Sequence, residues 1–408
     1  MIAAAKAQDE VLALEWLASG PSNAFIHDFT VIRRDLTRQI NACIPDVLDE
    51  IRYTFDTHFS MGEDASDGWK NVMINDAVRK AVCGVANRVI LGLPVCRSQE
   101  YFDAVQKWWI CFGLTGLVFR SFVPRPLQRV IMPILSLPTW YWRRRIVRMF
   151  QPEVARRLRV IQDAIAKGEP LPTSKDDDRS NDLMQWLIEQ SAHSKDPAEM
   201  SPRNLSDKLV LFNLFGKIPS PLRSLQNDRL IIPLATHTLT ASFTTLITTL
   251  LTHSSSAETI SALRAEAVEI LPNAASSPTL TKQMPLHDSI LRETLRLNPS
   301  FDDSMLREVV APAGLHTPQG VYLPRGSHVA MHTRLMQRSE WSGEGQDWTT
   351  FRPFRYCEMA AEAQRKACRT HDGDHATEEE KAMPDKGQIS AVQISERYML
   401  FGLGKHAW

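Results

Sequence analysis

Apolar residues recur at three- and four-residue spacing along most of this chain, the period of one face of an α-helix, and this confines the fold to a mainly α class. Residues 35–59 set Leu36, Ile40, Ile44, Val47, Leu48, Ile51 and Phe55 at that spacing, with Pro45 starting or kinking a second segment. Residues 72–92 repeat it through Val72, Ala77, Ala81, Val82, Val85 and Val89, until Gly92 and Pro94 stop the pattern. Residues 99–119 carry Tyr101, Phe102, Val105, Trp108, Trp109 and Phe112. Residues 143–167 predict a long basic helix, and 182–192 and 203–215 predict short ones. Strand signals are confined to residues 308–333, where Glu308-Val309-Val310, Tyr322-Leu323 and His328–Met331 are separated by Pro-Gly turns. Residues 168–181 read as a solvated linker. The polar, charged stretch 357–390 reads as an irregular surface insertion.

Residues 230–257 contain eight threonines and no Asp, Glu, Lys or Arg. At about 1.5 Å per residue such a stretch could cross a bilayer. Yet Thr236, Thr240, Thr244, Thr248 and Thr252 recur every four residues on one face, and a lipid-facing span would be richer in Leu, Ile and Phe. The expectation is one long buried helix whose hydroxyl stripe lines a concave pocket, with a transmembrane helix as the alternative. Trp140-Tyr141-Trp142 followed by Arg143-Arg144-Arg145 places aromatic rings beside cations, as at a membrane interface. A core loop opening a basic helix accounts for it equally well.

The 408 residues exceed the roughly 250–300 at which a single core stops growing, so two domains are the default, with large helical enzymes as the exception. Lys+Arg and Asp+Glu balance at 47 each, which gives no support to bulk nucleic-acid binding. Six scattered cysteines without a CxxC pair exclude a disulfide scaffold and argue against zinc; a reducing compartment fits. The residues after Met1 lack the apolar run of a signal peptide.

Four segments then fall in a telling order: Ala235-Thr236-His237-Thr238 in the Thr-rich helix, Glu293-Thr-Leu-Arg296, Phe351-Arg352-Pro353-Phe354-Arg355, and Phe401-Gly402-Leu403-Gly404-Lys405-His406-Ala407. This order resembles the cytochrome P-450 family of haem-thiolate monooxygenases. Ile32–Arg38, Ala86–Arg97 and the phrase FGLGKHA look like its fungal branch of ent-kaurene and indole-diterpene oxidases. The resemblance implies a P-450-like helical fold with small β hairpins, read as one incomplete domain over 1–408, and haem b as cofactor. It implies a buried cluster of Glu293, Arg296 and Arg355, in which one carboxylate meets two planar guanidinium forks. It casts Phe401, Gly402, Gly404 and His406 as the haem loop, with Arg33 and His406 facing propionates. Thr238 becomes the hydroxyl of a proton relay, and His237 stands where many relatives carry an acid. The plainer reading of His237 is a helix-face histidine bonded to a carbonyl.

The loop motif FGxGxxxC requires its iron-ligating cysteine at position 408, which is Trp408. Indole offers an N–H donor and no ligating lone pair, so this residue argues against a bound haem. The family's anchor, first helices and main sheet have no counterpart, so the sequence reads as truncated at both ends. The implied reaction is oxidation of an unactivated C–H bond in a small apolar substrate, of terpenoid type, with an NADPH-dependent flavin reductase as partner. The family location is the endoplasmic-reticulum surface; with no anchor in this chain, peripheral membrane contact or a cytoplasmic location follows. The competing readings are a catalytically dead helical binding partner and a pseudogene product.

Overall fold

The computed structural model describes residues 2–3, 39–59, 71–122, 127–168, 180–192, 199–215, 235–272, 283–299, 302–339, 347–370 and 390–400. Helices dominate: α1 (Ile44–His58), α2 (Ile74–Ile90), α3 (Gln99–Phe122), α4 (Gln128–Leu135), α5 (Leu137–Lys167), α6 (Leu183–Ala192) and α7 (Pro202–Phe215), then α8 (Ala235–Thr252), α9 (Ser256–Ile270), α10 (Pro285–Leu297), α11 (Thr333–Gln337) and α12 (Arg355–Thr370). The strands are short: β1 (Ile2–Ala3), β2 (Asp303–Val309), β3 (Leu315–His316), β4 (Tyr322–Leu323) and β5 (His328–His332). The contacts divide the chain into two compact units. One comprises Met1–Thr240 and Leu306–Val329, the other Ala241–Met305 and Ala330–Trp408.

The first unit is built on α3 and α5. Tyr101, Ala104, Val105, Trp108 and Phe112 of α3 are buried with Ile146, Phe150, Val154, Leu158 and Ile161 of α5, at the three- and four-residue spacing that one helix face demands. Met184, Leu187 and Ile188 of α6 and Leu205 and Leu209 of α7 join the same core. Each such side chain contributes about 1.5–3 kcal/mol when fully withdrawn from water. α5 stops at Gly168, whose φ of 70° lets its N–H turn back to the carbonyls of Ala164 and Ile165. A buried ion pair fastens α6 to α5, Arg157 Nη1 donating to both Asp182 oxygens at 2.8 and 2.9 Å. In the same unit β1 pairs antiparallel with β2, Ile2 opposite Val309 and Ala3 opposite Glu308. β3 pairs antiparallel with β4.

The mainly α class with small β elements is observed, with four local corrections. β2 starts at Asp303, five residues ahead of the predicted signal, and β1 carries no strand signal because two residues are too few for a period. Residues 355–370 are helical where an irregular insertion was expected, because the Ala, Glu, Met, Gln, Arg and Lys that make this stretch polar are also strong helix formers. Residues 371–389 and most of the 168–181 linker lie outside the described residues. The Thr-rich segment does not form one long buried helix. α8 ends at Thr252, and a turn at His253–Ser255 leads into α9. Of its described side chains only Thr240 and Ser242 are buried, while Leu239, Phe243 and Leu251 are exposed. At the C-terminal end of the threonine period the hydroxyls bond within the helix: Thr248 Oγ1 donates to Thr244 O and Thr252 Oγ1 to Thr248 O, both at 2.8 Å. Among the described residues no helix is long and apolar enough to cross a membrane.

Candidate functional site

α10 opens with Pro285 in its first turn, where the missing N–H costs nothing. It lacks a side-chain cap of its own. Glu266 of α9 supplies one instead, accepting from the N–H of Leu286 at 2.9 Å and of His287 at 3.1 Å, with His287 Nδ1 2.6 Å from the same carboxylate. A carboxylate at a helix N-terminus also meets the positive end of the helix dipole.

Nearly the whole of α10 from Ser289 to Leu297 is buried, including Arg292, Glu293 and Arg296. Glu293 and Arg296 have no solvent-exposed surface, and Arg355, the first residue of α12, retains 1%. The three side chains meet. Arg296 grips Glu293 with two parallel hydrogen bonds, Nε to Oε2 at 2.8 Å and Nη2 to Oε1 at 2.9 Å. Arg355 Nε reaches Oε1 at 3.1 Å, and the backbone N–H of Arg352 donates to the same oxygen at 3.0 Å. The spare donors of both arginines are occupied. Arg296 Nη1 donates to the carbonyls of Gln337, at 2.7 Å, and Trp348. Arg355 Nη2 donates to Thr350 O at 2.8 Å, and its Nη1 to Asp347 Oδ1 at 2.8 Å. Hydrogen bonds from Arg355 and Arg352 hold the Asp347 carboxyl below the usual carboxylate range. One carboxylate therefore collects two guanidinium groups and an amide, and the arginines pass the restraint on to residues 337 and 347–350.

The adjacent face of α10 grips residues 390–400, the segment leading into the FGLGKHA phrase. Asp288 accepts from the N–H of Ala391 at 3.0 Å, and burial pushes its carboxyl up. Arg292 donates to the carbonyls of Ser390 and of Gln393, the latter at 2.8 Å, and its guanidinium lies 3.6 Å from the ring centre of Tyr398 and 4.7 Å from that of Tyr356. Gln337 Nε2 adds a bond to Arg397 O at 2.9 Å. Asp288, Arg292, Gln337 and Asp347 carry no motif in the sequence. The available signal was that Asp288 and Arg292 sit four apart on the helix that carries Glu293.

The other candidates are placed less fully. Thr238 lies in α8, half-buried. His237 is in the same helix, with its side chain outside the described residues, and Arg33, Phe401, Gly402, Gly404, His406 and Trp408 lie outside them altogether. Five cysteines are described, all as free thiols. Burial pushes Cys43 up to about 11 and Cys83 and Cys96 up to about 12, and it also raises Cys111 and Cys357. Thiols so placed are weak nucleophiles unless a metal draws the proton off. Among the described residues no three His, Cys, Asp or Glu side chains gather as a metal site.

The family model for cytochrome P450 matches residues 178–366. Cytochrome P450 monooxygenase lnaC of Aspergillus flavus is 26% identical over 99% of this chain and 68% of its own length. Cytochrome P450 monooxygenase pbrC of Penicillium brasilianum is 25% identical over 92% of this chain and 62% of its own, and polB of Polytolypa hystricis 24% identical over 92% and 64%. The chain thus spans roughly two thirds of the length of these relatives, or somewhat less. Among solved structures, the cytochrome P450DA heme domain aligns with a TM-score of 0.58 at 12% identity, over 100% of this chain and 72% of that one. Retinoic acid bound cyanobacterial CYP120A1 aligns with a TM-score of 0.53 at 15% identity, over 97% and 70%. The structural likeness shows the fold, and these fungal cytochrome P450 monooxygenases are similar in sequence to this chain over 92–99% of its length.

Proposed function

We propose that this chain is the helical scaffold of a fungal cytochrome P450 monooxygenase of secondary metabolism, acting on a small apolar, terpenoid-type substrate with a flavin reductase as electron donor. The observation that carries this reading is the solvent-free Glu293–Arg296–Arg355 cluster. A buried cluster of this kind gives little net stability over apolar packing, so its use is to fix geometry. Here it fixes residues 337 and 347–350, while the neighbouring face of the same helix holds the approach to residues 401–408. Haem b is the cofactor that family membership leads one to expect, and it would supply the oxygen-activating chemistry. Thr238, His237, Arg33, Gly402, Gly404 and His406 remain its proposed neighbours.

The donor set does not fit a thiolate-ligated haem. Trp408 stands at the eighth position counted from Phe401, and the six cysteines lie in other segments of the sequence. That observation favours a second reading, a retained scaffold that binds a partner without oxidising a substrate. The two separate in one experiment. The chain as it stands and a Trp408→Cys chain extended by the C-terminal segment of a fungal relative are purified, loaded with haem, reduced and exposed to carbon monoxide. The expected result is the strongly red-shifted thiolate band in the extended variant only. If the extended variant takes up no haem, the monooxygenase reading fails.

A further inference from the structure

A hydroxyl buried on a helix ordinarily donates to the carbonyl one turn back. In the first unit Thr54, Ser191 and Ser206 do so, donating to Glu50 O, Leu187 O and Pro202 O at 2.7, 2.8 and 2.7 Å. Two hydroxyls depart from this pattern. Ser136, in the joint between α4 and α5, and Thr139, in the first turn of α5, have no solvent-exposed surface. Neither Ser136 Oγ nor Thr139 Oγ1 has a hydrogen-bond partner among the described residues.

The carbonyls one turn back from them have other donors. Met132 O accepts from the N–H of Ser136 itself at 2.9 Å. Leu135 O lies 3.2 Å from Thr115 Oγ1 of α3, a hydroxyl that is also 2.8 Å from Cys111 O. Thr115 has one proton for those two carbonyls, and its oxygen keeps lone pairs with which to accept. The same contact sets Thr115 against the joint, because Leu135 immediately precedes Ser136. Ser136 and Thr139, three residues apart, share the helix face that looks inward. Around them the interior is apolar, with Met132, Phe112 and Ile146 all buried in the same core. Trp108 Nε1 of α3, in that core, is a third buried polar atom without a partner.

We infer that Ser136, Thr139 and Thr115 form a binding site for one ordered water, which ties α3 to the α4–α5 joint. Left unpaired, each hydroxyl would bear the full cost of its desolvation. A water that accepts from one hydroxyl, donates to the other and gives its second proton to Thr115 Oγ1 makes three hydrogen bonds, about the usual number for a buried water. The polar lining sets the site apart from an apolar cavity, which stays dry. Ser136, Thr139 and Met132 are closed to solvent, so the ligand is of the size of water. The inference stands apart from the haem reading, since this interface is present without haem and either can fail alone.

The test is a thermal double-mutant cycle on the full chain, together with its crystal structure. Ser136→Ala and Thr139→Val should each lower the melting midpoint by about 2–4 °C. The double variant should lose less than the two losses added, because both hydroxyls serve one ligand. Hydroxyls without a ligand would behave in the opposite way, since an apolar group in place of an unpaired buried hydroxyl raises stability. The crystal structure should show a solvent peak about 2.5–3.0 Å from both Ser136 Oγ and Thr139 Oγ1, and the peak should be gone in the double variant. Midpoints that rise, or losses that simply add, overturn the inference. So does a parent structure with no density between the two hydroxyls, whether or not the variants fold.

Discussion

Glu293 shows how much can rest on one side chain. Its two oxygens receive four hydrogen bonds from Arg296, Arg355 and the Arg352 amide, with no water in reach. Glu293→Gln should destabilise the protein by about 3–5 kcal/mol, because two buried guanidinium groups lose their counter-charge. Asp347→Asn should cost clearly less, since that carboxylate is partly solvated. Urea midpoints of the two variants check the order. A pH effect belongs to Glu153, whose carboxyl is drawn down to about 2 by hydrogen bonds from Arg156 and then Arg157. Its folded value lies below its unfolded one, so its stabilisation is complete above the usual carboxylate range and disappears as pH falls from about 4.5 toward 2. Acid titration of thermal stability should therefore be shallower for Glu153→Gln than for the parent. At this scale the three members of the cluster could be read from the sequence as residue types in a known order. The Arg352 amide and the carbonyls of Gln337, Trp348 and Thr350 could not, because every residue has the same backbone groups.

At the scale of elements, the long helices of the first unit were legible because burial on one face imposes a period. The α8 stripe was legible as a period and misleading as to its cause. Threonine recurring every four residues fits a pocket lining, and it fits equally a helix whose hydroxyls bond the carbonyl one turn back. The structure shows the latter at Thr248 and Thr252. Thr248→Val should accordingly change the melting temperature little, by the equivalent of less than about 0.5 kcal/mol for an exposed site away from special features. Gly92, just past the end of α2, should be far less tolerant. Its φ is +67°, and a Cβ there would lie 2.2 Å from Asp182 Oδ2. Gly92→Ala should cost at least about 1–2 kcal/mol from the left-handed backbone alone, and more as Asp182 is pushed off Arg157. A calorimetric scan beside Asp182→Asn distinguishes the two contributions.

For the whole molecule, the order of motifs pointed to the cytochrome P450 resemblance and the length to more than one core, whereas the place where the contacts divide has no sequence signal. It follows contacts between segments far apart in the chain, which periodicity does not register. Trp408 sets the prediction at this scale. Trp408→Cys alone should give little or no thiolate band with carbon monoxide. The same change with the relatives' following segment should give a clear one, because a ligand also needs the chain that clamps it. Difference spectra of the two proteins, normalised to haem content, check this.

The placement of α10 has a consequence for biosynthesis. Arg355 follows Glu293 by 62 residues, and Ala391 follows Asp288 by 103. At about 5–20 residues per second, the ribosome exposes α10 roughly 3–12 s before its second arginine and roughly 5–20 s before the segment that Asp288 holds. Through that interval Glu293 has Arg296 as a neighbour on its own helix, but the tertiary half of its hydrogen bonds has yet to be translated. The nascent chain must therefore carry this helix in a hydrated, provisional state, and the closure of the second unit waits on the synthesis of residues 355 and 391.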